Sequence, residues 1–591
     1  MSVNLQDIIV THGPSLYAPY QAIIIDYDQS TFDGDNKLSS KHIQKLPKIL
    51  PDIITSKLST TSIDDVNKLL ETLIATLHDA KEPLELKLEI QEIDDKKNRL
   101  IAEYYNEMTT KWAINLSFSV ISFIKSPELN PRLQLLKRAQ QVTQNIFNHS
   151  PGFMVQRLML AAKAKNIPLY LVEYDTLLTS FGQSAKSIIL ENSATEFDSK
   201  IGFLLQKNKL RTNNFLKKVG YPTTNQRVAH SFDMCLKIAE HLGYPVVIKP
   251  ISGGGGEGVT ANIHTPEQLE YAFDEAVKYS TKSVLIENHV NGDVYRVTMS
   301  DNKIIFLGLR HLPQVVDDGI NTIRTLIDQE NIRRNQPVVL ANRMSQVTID
   351  DRLMNNLQNA DYELDSIPPD GEKVMLGDIH NRSVGGTLTM LEEGDMHPDY
   401  VEMVIDLSKL FRLDNIGIDI ISPDISLSWR EAGVIIEVNA HPGAGPTVLD
   451  KIIDNHFSDG GRINTTLVIS DNQNFVTQIY KKKHKNYSKV GLANNQTASF
   501  KTGSLMVEEQ GLYHNCLALL LNNSCDAIVV SIRPEEILKS GLPIDYFDHC
   551  IIDPESNMDS ELINNSVQKL TGDNNLTDWL SKFTGLIEID S

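Results

Sequence analysis

A short apolar run, Tyr244-PVVIKP, carries Lys249 near its end and passes at once into Ser252-GGGGEGV, and few folds accommodate that junction. Four consecutive glycines, Gly253 to Gly256, carry neither strand nor helix onward, because glycine takes positive φ freely and loses much entropy when ordered. The same freedom lets backbone N–H groups approach phosphate oxygens closely, and the lysine adds a point charge for those oxygens. A glycine-rich turn between two strands is the commoner use of such a sequence. No Gly-Lys-Ser/Thr follows, so the loop lacks the pattern of a Walker phosphate loop.

Further apolar runs follow at Ser283-VLIEN, Ile416-GIDIIS and Val434-IIEVN. Between the Tyr244 and Ser283 runs lies Thr265-PEQLEYAFDEAVKY, which predicts a helix with Thr265 as N-cap, Pro266 at the first helical position and Glu267 in the first turn. Strands alternating with amphipathic helices predict an α/β or α+β enzyme domain over 151–457. At 591 residues the chain exceeds one ordinary core, so two to four domains are expected. Residues 1–150 read as a small α+β domain, with a strand at Gln21-AIIIDY and a helix from Asn67 to Ala80. Residues 458–591 read as a further α/β domain, with strands at Leu467-VIS and Ala527-IVVSI.

A formal charge of -20, from 76 acidic and 56 basic residues, argues against a nucleic-acid partner. The basic run Lys481-Lys-Lys-His-Lys485 reads as a solvated loop. Cys235, Cys516, Cys525 and Cys550 show no zinc spacing and read as reduced thiols. The apolar stretch Trp112 to Ile124 is too short to span a bilayer, and no export signal is evident at the N-terminus. A cytoplasmic protein without a membrane partner is the expectation.

Two further groups of residues suggest chemistry. Asp419 in GIDII, with Glu437 and Asn439 in EVN, offers three oxygen ligands, and Glu437 and Asn439 share one strand face by the period of two. Such a set suits Mg²⁺, a hard cation that completes its shell with phosphate and water. Polar strand ends are the plainer alternative, but a carboxylate inside IIEVN needs a cation or strong donors to stay charged. Arg296 and Arg310, with Asn381-RSVGG downstream, could hold a carboxylate or acyl-phosphate oxygens; each arginine could equally be an exposed strand residue.

With those residues in view, the chain resembles the cyanophycin synthetases and, more distantly, the glutathione-type peptide ligases. The likeness runs in order through Lys209-LRTNNFLKKVGYP, Gly243-YPVVIKP, Gly253-GGGEGV, Ile286-ENHVNGDVYR, Val315-VDDGINTIRTLI, Leu364-DSIPPDGEKV, Ser383-VGGT, Asn415-IGIDIISPD and Val434-IIEVNAHPG. It implies an ATP-grasp fold in the middle, with ATP and Mg²⁺ as cofactors. Lys209 and Lys249 then match the nucleotide-phosphate lysines, and Gly253, Gly254, Gly255, Gly256 and Gly258 the phosphate-covering loop. Glu287 matches the acid near the adenine amine, with Asn288, His289 and Val290 beside the ring and Asp293 at the ribose. Arg296 and Arg310 match basic groups around the transferred phosphate. Asn381, Gly385 and Gly386 match the loop over the reaction centre, and Asp419, Glu437 and Asn439 the magnesium ligands.

There are departures from that pattern. Gly255 and Glu257 stand where the family has histidine and arginine, and Gly377-Asp378 replaces a basic pair. Residues 458–591 are similar to the family's Mur-ligase-like module, yet Ser470-DNQNFVT stands where its phosphate loop belongs and the chain stops before a final lobe. The implied activity is an ADP-forming carboxylate–amine ligase working only at the ATP-grasp site. Its substrates would be an amino-acid or small-peptide carboxylate and an amine, and the chain would form a homo-oligomer. A non-catalytic regulatory paralogue is the alternative. The apolar runs of 458–591 imply that this degenerate segment covers a surface of the ATP-grasp module or of another copy.

Overall fold

The computed structural model describes residues 8–32, 36–50, 63–79, 84–94, 96–128, 130–131, 133–173, 178–251, 256–280, 283–335, 345–440, 442–443, 445–556, 558 and 560–589. Two compact units emerge: Met1–Asn192 together with Phe457–Ser591, and Ser193–His456.

In the first unit a four-stranded antiparallel sheet runs in the order Ile8–Thr11, Ala22–Asp28, Lys97–Glu103, Leu88–Asp94. Helices Val66–His78 and Glu107–Lys125 bury Leu69, Leu73, Ile114 and Phe118 against it. The second of these helices contains the apolar stretch noted above, and no described helix is long and apolar enough to cross a membrane. The C-terminal part is a seven-stranded sheet. Its strand Ala527–Ile532 is buried at every position, as expected where parallel strands are covered on both faces.

The expectations for residues 151–192 and for the Lys481 run meet a different outcome here. Residues 151–192, read as the start of the middle domain, group instead with the first unit. The Gln183 N–H donates to the Gly461 carbonyl at 2.8 Å and the Ala185 N–H to Cys525 at 3.0 Å. These backbone partners are remote in sequence, and no local pattern announces them. Within this unit the segment 458–591 packs against residues near the N-terminus: Leu16 lies in the C-terminal core, and the Leu542 N–H donates to the Pro14 carbonyl at 2.7 Å. The Lys481 run is also not wholly loop. Lys481, Lys482 and Lys483 form the last turn of helix Gln473–Lys483, where cations suit the negative end of the helix dipole.

The second unit is built on two antiparallel sheets. One runs Thr260–Ile263, Val246–Pro250, Val284–Asn288, Gln226–Ala229. The other runs Thr387–Leu391, Lys303–His311, Asp293–Ser300, Ile416–Ser422, Val434–Asn439. Helix Pro266–Lys278 begins as expected, with the Thr265 hydroxyl accepting from the Gln268 N–H. It packs Leu269, Ala272 and Ala276 onto Val246, Ile248 and Ile286 of the first sheet. Helix Pro398–Phe411 covers the second sheet through Tyr400, Met403 and Leu407. Both sheets therefore turn an apolar face to a helix, which leaves their polar strand positions for a site.

Candidate functional site

A cavity of ≈ 600 Å³ in the second unit draws its walls from both sheets. Lys249 enters it from Val246–Pro250, and Glu287 from the neighbouring strand, where Val247 faces Glu287 and Lys249 faces Leu285. That register sets lysine and glutamate on one face as a diagonal pair. Their ammonium and carboxylate meet at 2.6 Å with side chains only 8% and 4% exposed. The other Glu287 oxygen accepts from the Thr224 hydroxyl at 2.7 Å and the Gln226 amide at 2.6 Å. A buried charge is costly unless paired and hydrogen-bonded, and here both conditions hold. Glu287, expected beside an adenine amine, is thus placed to aim Lys249. Thr224 and Gln226, which complete the arrangement, were not singled out in sequence, because polar residues near a strand are unremarkable there.

A second row of charges crosses the other sheet. Arg296 faces Asp419 across one strand pair, and Asp419 faces Glu437 across the next. The Arg296 Nε lies 2.7 Å from the Asp419 carboxylate and the Arg310 Nη2 lies 3.3 Å from it. Lys209 reaches Glu437 at 3.2 Å. Burial pushes Asp419 above the ordinary carboxylate range, against the two arginines, and the adjacent Glu437 adds to the push. Burial would also raise Glu437, but Lys209, Arg296 and Lys249 outweigh it and hold that carboxyl low. Burial lowers the Arg310 guanidinium, against the pull of Asp419. Gly417 earns its place in GIDII, since a Cβ there would come 2.2 Å from the Arg296 Nη1.

Asn439 lies two residues beyond Glu437 on the same strand face, opposite Gly417. Its Nδ2 is buried without a hydrogen-bond partner, and the Asp419 Oδ1 has ion-pair neighbours but no directed hydrogen bond. Two facing carboxylates that repel each other, with the Asn439 amide on the same strand face, fit an oxygen-liganded divalent cation. Among the described residues there is no group of three or more His, Cys, Asp or Glu placed to hold a metal, so any such site depends on this mixed set.

The remaining candidates divide between wall and support. Gly256, Asn288, His289, Val290, Arg310 and Asn381 line the cavity, as do Lys209, Asp419 and Glu437. Arg296, Gly258 and Asn439 do not line it. Asp293 is exposed at the head of its strand, and the neighbouring Val294 lines the cavity instead. Gly253, Gly254 and Gly255 lie outside the described residues. Gly258 has φ +64°, and a Cβ on it would meet the Tyr279 ring at 2.8 Å. Gly385, at φ +94°, and Gly386 form the turn after Asn381, with the Gly386 N–H donating to the Asn381 carbonyl at 2.9 Å. The Gly385 carbonyl accepts from Arg334 at 3.0 Å. Arg334 is fully buried, and a basic residue in the last turn of an ordinary helix gave no hint of that role.

Burial holds His380, another wall residue, at about 4, so it is neutral near pH 7. The arrangement as a whole presents cations and carboxylates in alternation around one water-accessible space. Such a site can bind a polyanion and steady the charge that moves during group transfer.

Part of this unit is similar to a known family. Residues 208–299 match the family described as the ATP-binding domain of the carbamoyl-phosphate synthase L chain. This match lies within the second unit, which is thereby similar to an ATP-binding domain of that family. More particular relatives follow. A cyanophycin synthetase of Synechocystis is 27% identical over 347 residues, 58% of this chain and 40% of its own. One from Geminocystis herdmanii is 29% identical over 299 residues, 50% of this chain and 34% of its own. A glutathione biosynthesis bifunctional protein of Streptococcus mutans is 27% identical over 307 residues, 49% of this chain and 40% of its own. The chain spans about two fifths of the length of these curated relatives.

Proposed function

We propose that this chain is an ADP-forming carboxylate–amine ligase with its single working site in the ATP-grasp unit. The observation that carries the reading is the convergence on one cavity of the buried Lys249–Glu287 pair, the half-buried Lys209–Glu437 pair and the Asp419–Arg310 pair, with Arg296 holding Asp419 from behind the wall. Lys209 and Lys249 would meet the nucleotide phosphates, with Gly256 and its neighbours covering them and Asn288 to Val290 beside the base. Asp419, Glu437 and Asn439 would hold Mg²⁺, which supplies charge neutralisation on the phosphate oxygens.

A carboxylate oxygen of an amino acid or small peptide would take the γ-phosphoryl group of ATP, releasing ADP. An amine then attacks the acyl carbon, the C–O bond to phosphate breaks, and the nitrogen gives up a proton as the amide forms. Arg296 acts behind the wall by aiming Asp419, and Arg310 faces the transferring group. Asn381 and the Gly385–Gly386 turn would close over the reaction centre. No side chain need become covalently bonded, because positioning and electrostatics supply the catalysis. The similarity to cyanophycin synthetases and to a glutathione biosynthesis protein supports amino-acid or peptide substrates, and a homo-oligomer in the cytoplasm belongs to the same proposal.

The degenerate reading of 458–591 has support of its own. Where a phosphate loop would precede helix Gln473–Lys483, the Asn472 side chain accepts from the N–H groups of Asn474 and Phe475. ADP release over a matrix of amino-acid pairs, with products weighed by mass spectrometry, tests the whole proposal. No ADP above background with any pair would overturn it.

A further inference from the structure

Residues 312–386 form an excursion between two strands that pair directly, Lys303–His311 and Thr387–Leu391. The excursion has its own core, centred on Ile323, Ile327, Leu353 and Leu357. From that lobe two side chains reach the strand that follows the glycine run. Asp378 accepts from the Ala261 N–H at 3.0 Å through one oxygen, and its other oxygen lies 2.9 Å from the Arg352 Nε. Arg352, on helix Asp351–Asn359, also donates through Nη2 to the Val259 carbonyl. Val259, Ala261 and Asp378 all line the cavity.

We infer that Arg352 and Asp378 are positioning residues that clasp 259–261 to the inserted lobe and so fix the stem of the glycine loop. The reasoning is geometric. Gly256 and Gly258 carry positive φ and no side chain of their own with which to anchor this stretch. Its last fixed backbone is the start of strand Thr260–Ile263, and that is where the two side chains take hold. An arginine fork is suited to this task because one nitrogen meets a carboxylate while another meets a carbonyl. The acid at 378 is the residue that gives Arg352 a partner and the Ala261 N–H an acceptor.

The inference rests on the proposed nucleotide reading of the cavity, and the test separates the two. It uses the full chain with Asp378→Ala, Arg352→Met, Arg352→Lys and the double variant Arg352→Met/Asp378→Ala. Hydrogen exchange at the Ala261 amide, the dissociation constant for ATP, and KM against kcat are measured for each. In Asp378→Ala, exchange at Ala261 should quicken about tenfold or more, since a charge-assisted hydrogen bond is lost. Either single truncation should weaken ATP binding about tenfold, mainly through KM, and the double variant should be little worse than either single. Arg352→Lys should recover part of the affinity, because a point charge can satisfy one contact but not both. ATP affinity and KM at wild-type values in the folded double variant would overturn the positioning role. Unchanged Ala261 exchange in Asp378→Ala would overturn the clasp itself, whereas a wild-type chain that binds no ATP would strike the nucleotide reading alone.

Discussion

The sheet containing Asp419 and Glu437 and the mostly parallel sheet of the C-terminal segment both end in polar residues, but they dispose of them in opposite ways. In the first, Asp419 and Glu437 face each other in a cavity wall, pinned by Arg296, Arg310 and Lys209, with Asn439 unsatisfied behind them. In the second, the Ser470 hydroxyl donates to Asp553 at 2.5 Å and accepts from the Asn472 N–H at 2.9 Å. Asn472 in turn caps the following helix. The C-terminal ends of parallel strands are the usual ligand position in such folds, so the location is right for a site. What differs is closure. One set of polar groups has valence left for a ligand, and the other has spent it internally.

The strongest way to break this comparison is Glu437→Gln. Removing one carboxylate from the wall should reduce ADP release about a thousandfold while circular dichroism stays unchanged. Near-normal turnover in the folded variant would show that the open polar set is not the reactive one.

Lys249→Met is the next largest effect. ATP binding should weaken about a hundredfold, and stability should fall by about 3 kcal/mol because Glu287 is left buried and unpaired. The double variant Lys249→Met/Glu287→Gln should recover most of that stability but none of the affinity. Nucleotide titration sharpens the contrast further: at ATP concentrations that fill only a site of wild-type affinity, one equivalent is expected for the wild-type chain and none for Lys249→Met. A surviving equivalent would mean that the C-terminal sheet binds nucleotide after all.

The smallest expected effect lies in the closed set. Asn472→Ala removes a helix cap and should cost about 1 kcal/mol in thermal or urea unfolding, with ADP release unchanged. A loss of ligase activity there would erase the distinction between the two regions.

The sequence by itself determined the local elements and the kinds of side chain they present. Val246–Pro250, Val284–Asn288, Ile416–Ser422 and Val434–Asn439 fall where their apolar runs predict, and helix Pro266–Lys278 starts at its capping signal. These are readable because β-branched runs, caps and the two periodicities act over a few residues. The pairing of Glu437 with Asn439 on one face was legible for the same reason. Tertiary structure alone decided the rest. It set Glu287 against Lys249, brought Arg334 under the Gly385 turn, gave Asp378 its arginine, and grouped 151–192 with the C-terminal segment. Each of these depends on strand register or on a partner many residues away, and a one-residue slip in register would turn the same side chains to the opposite face.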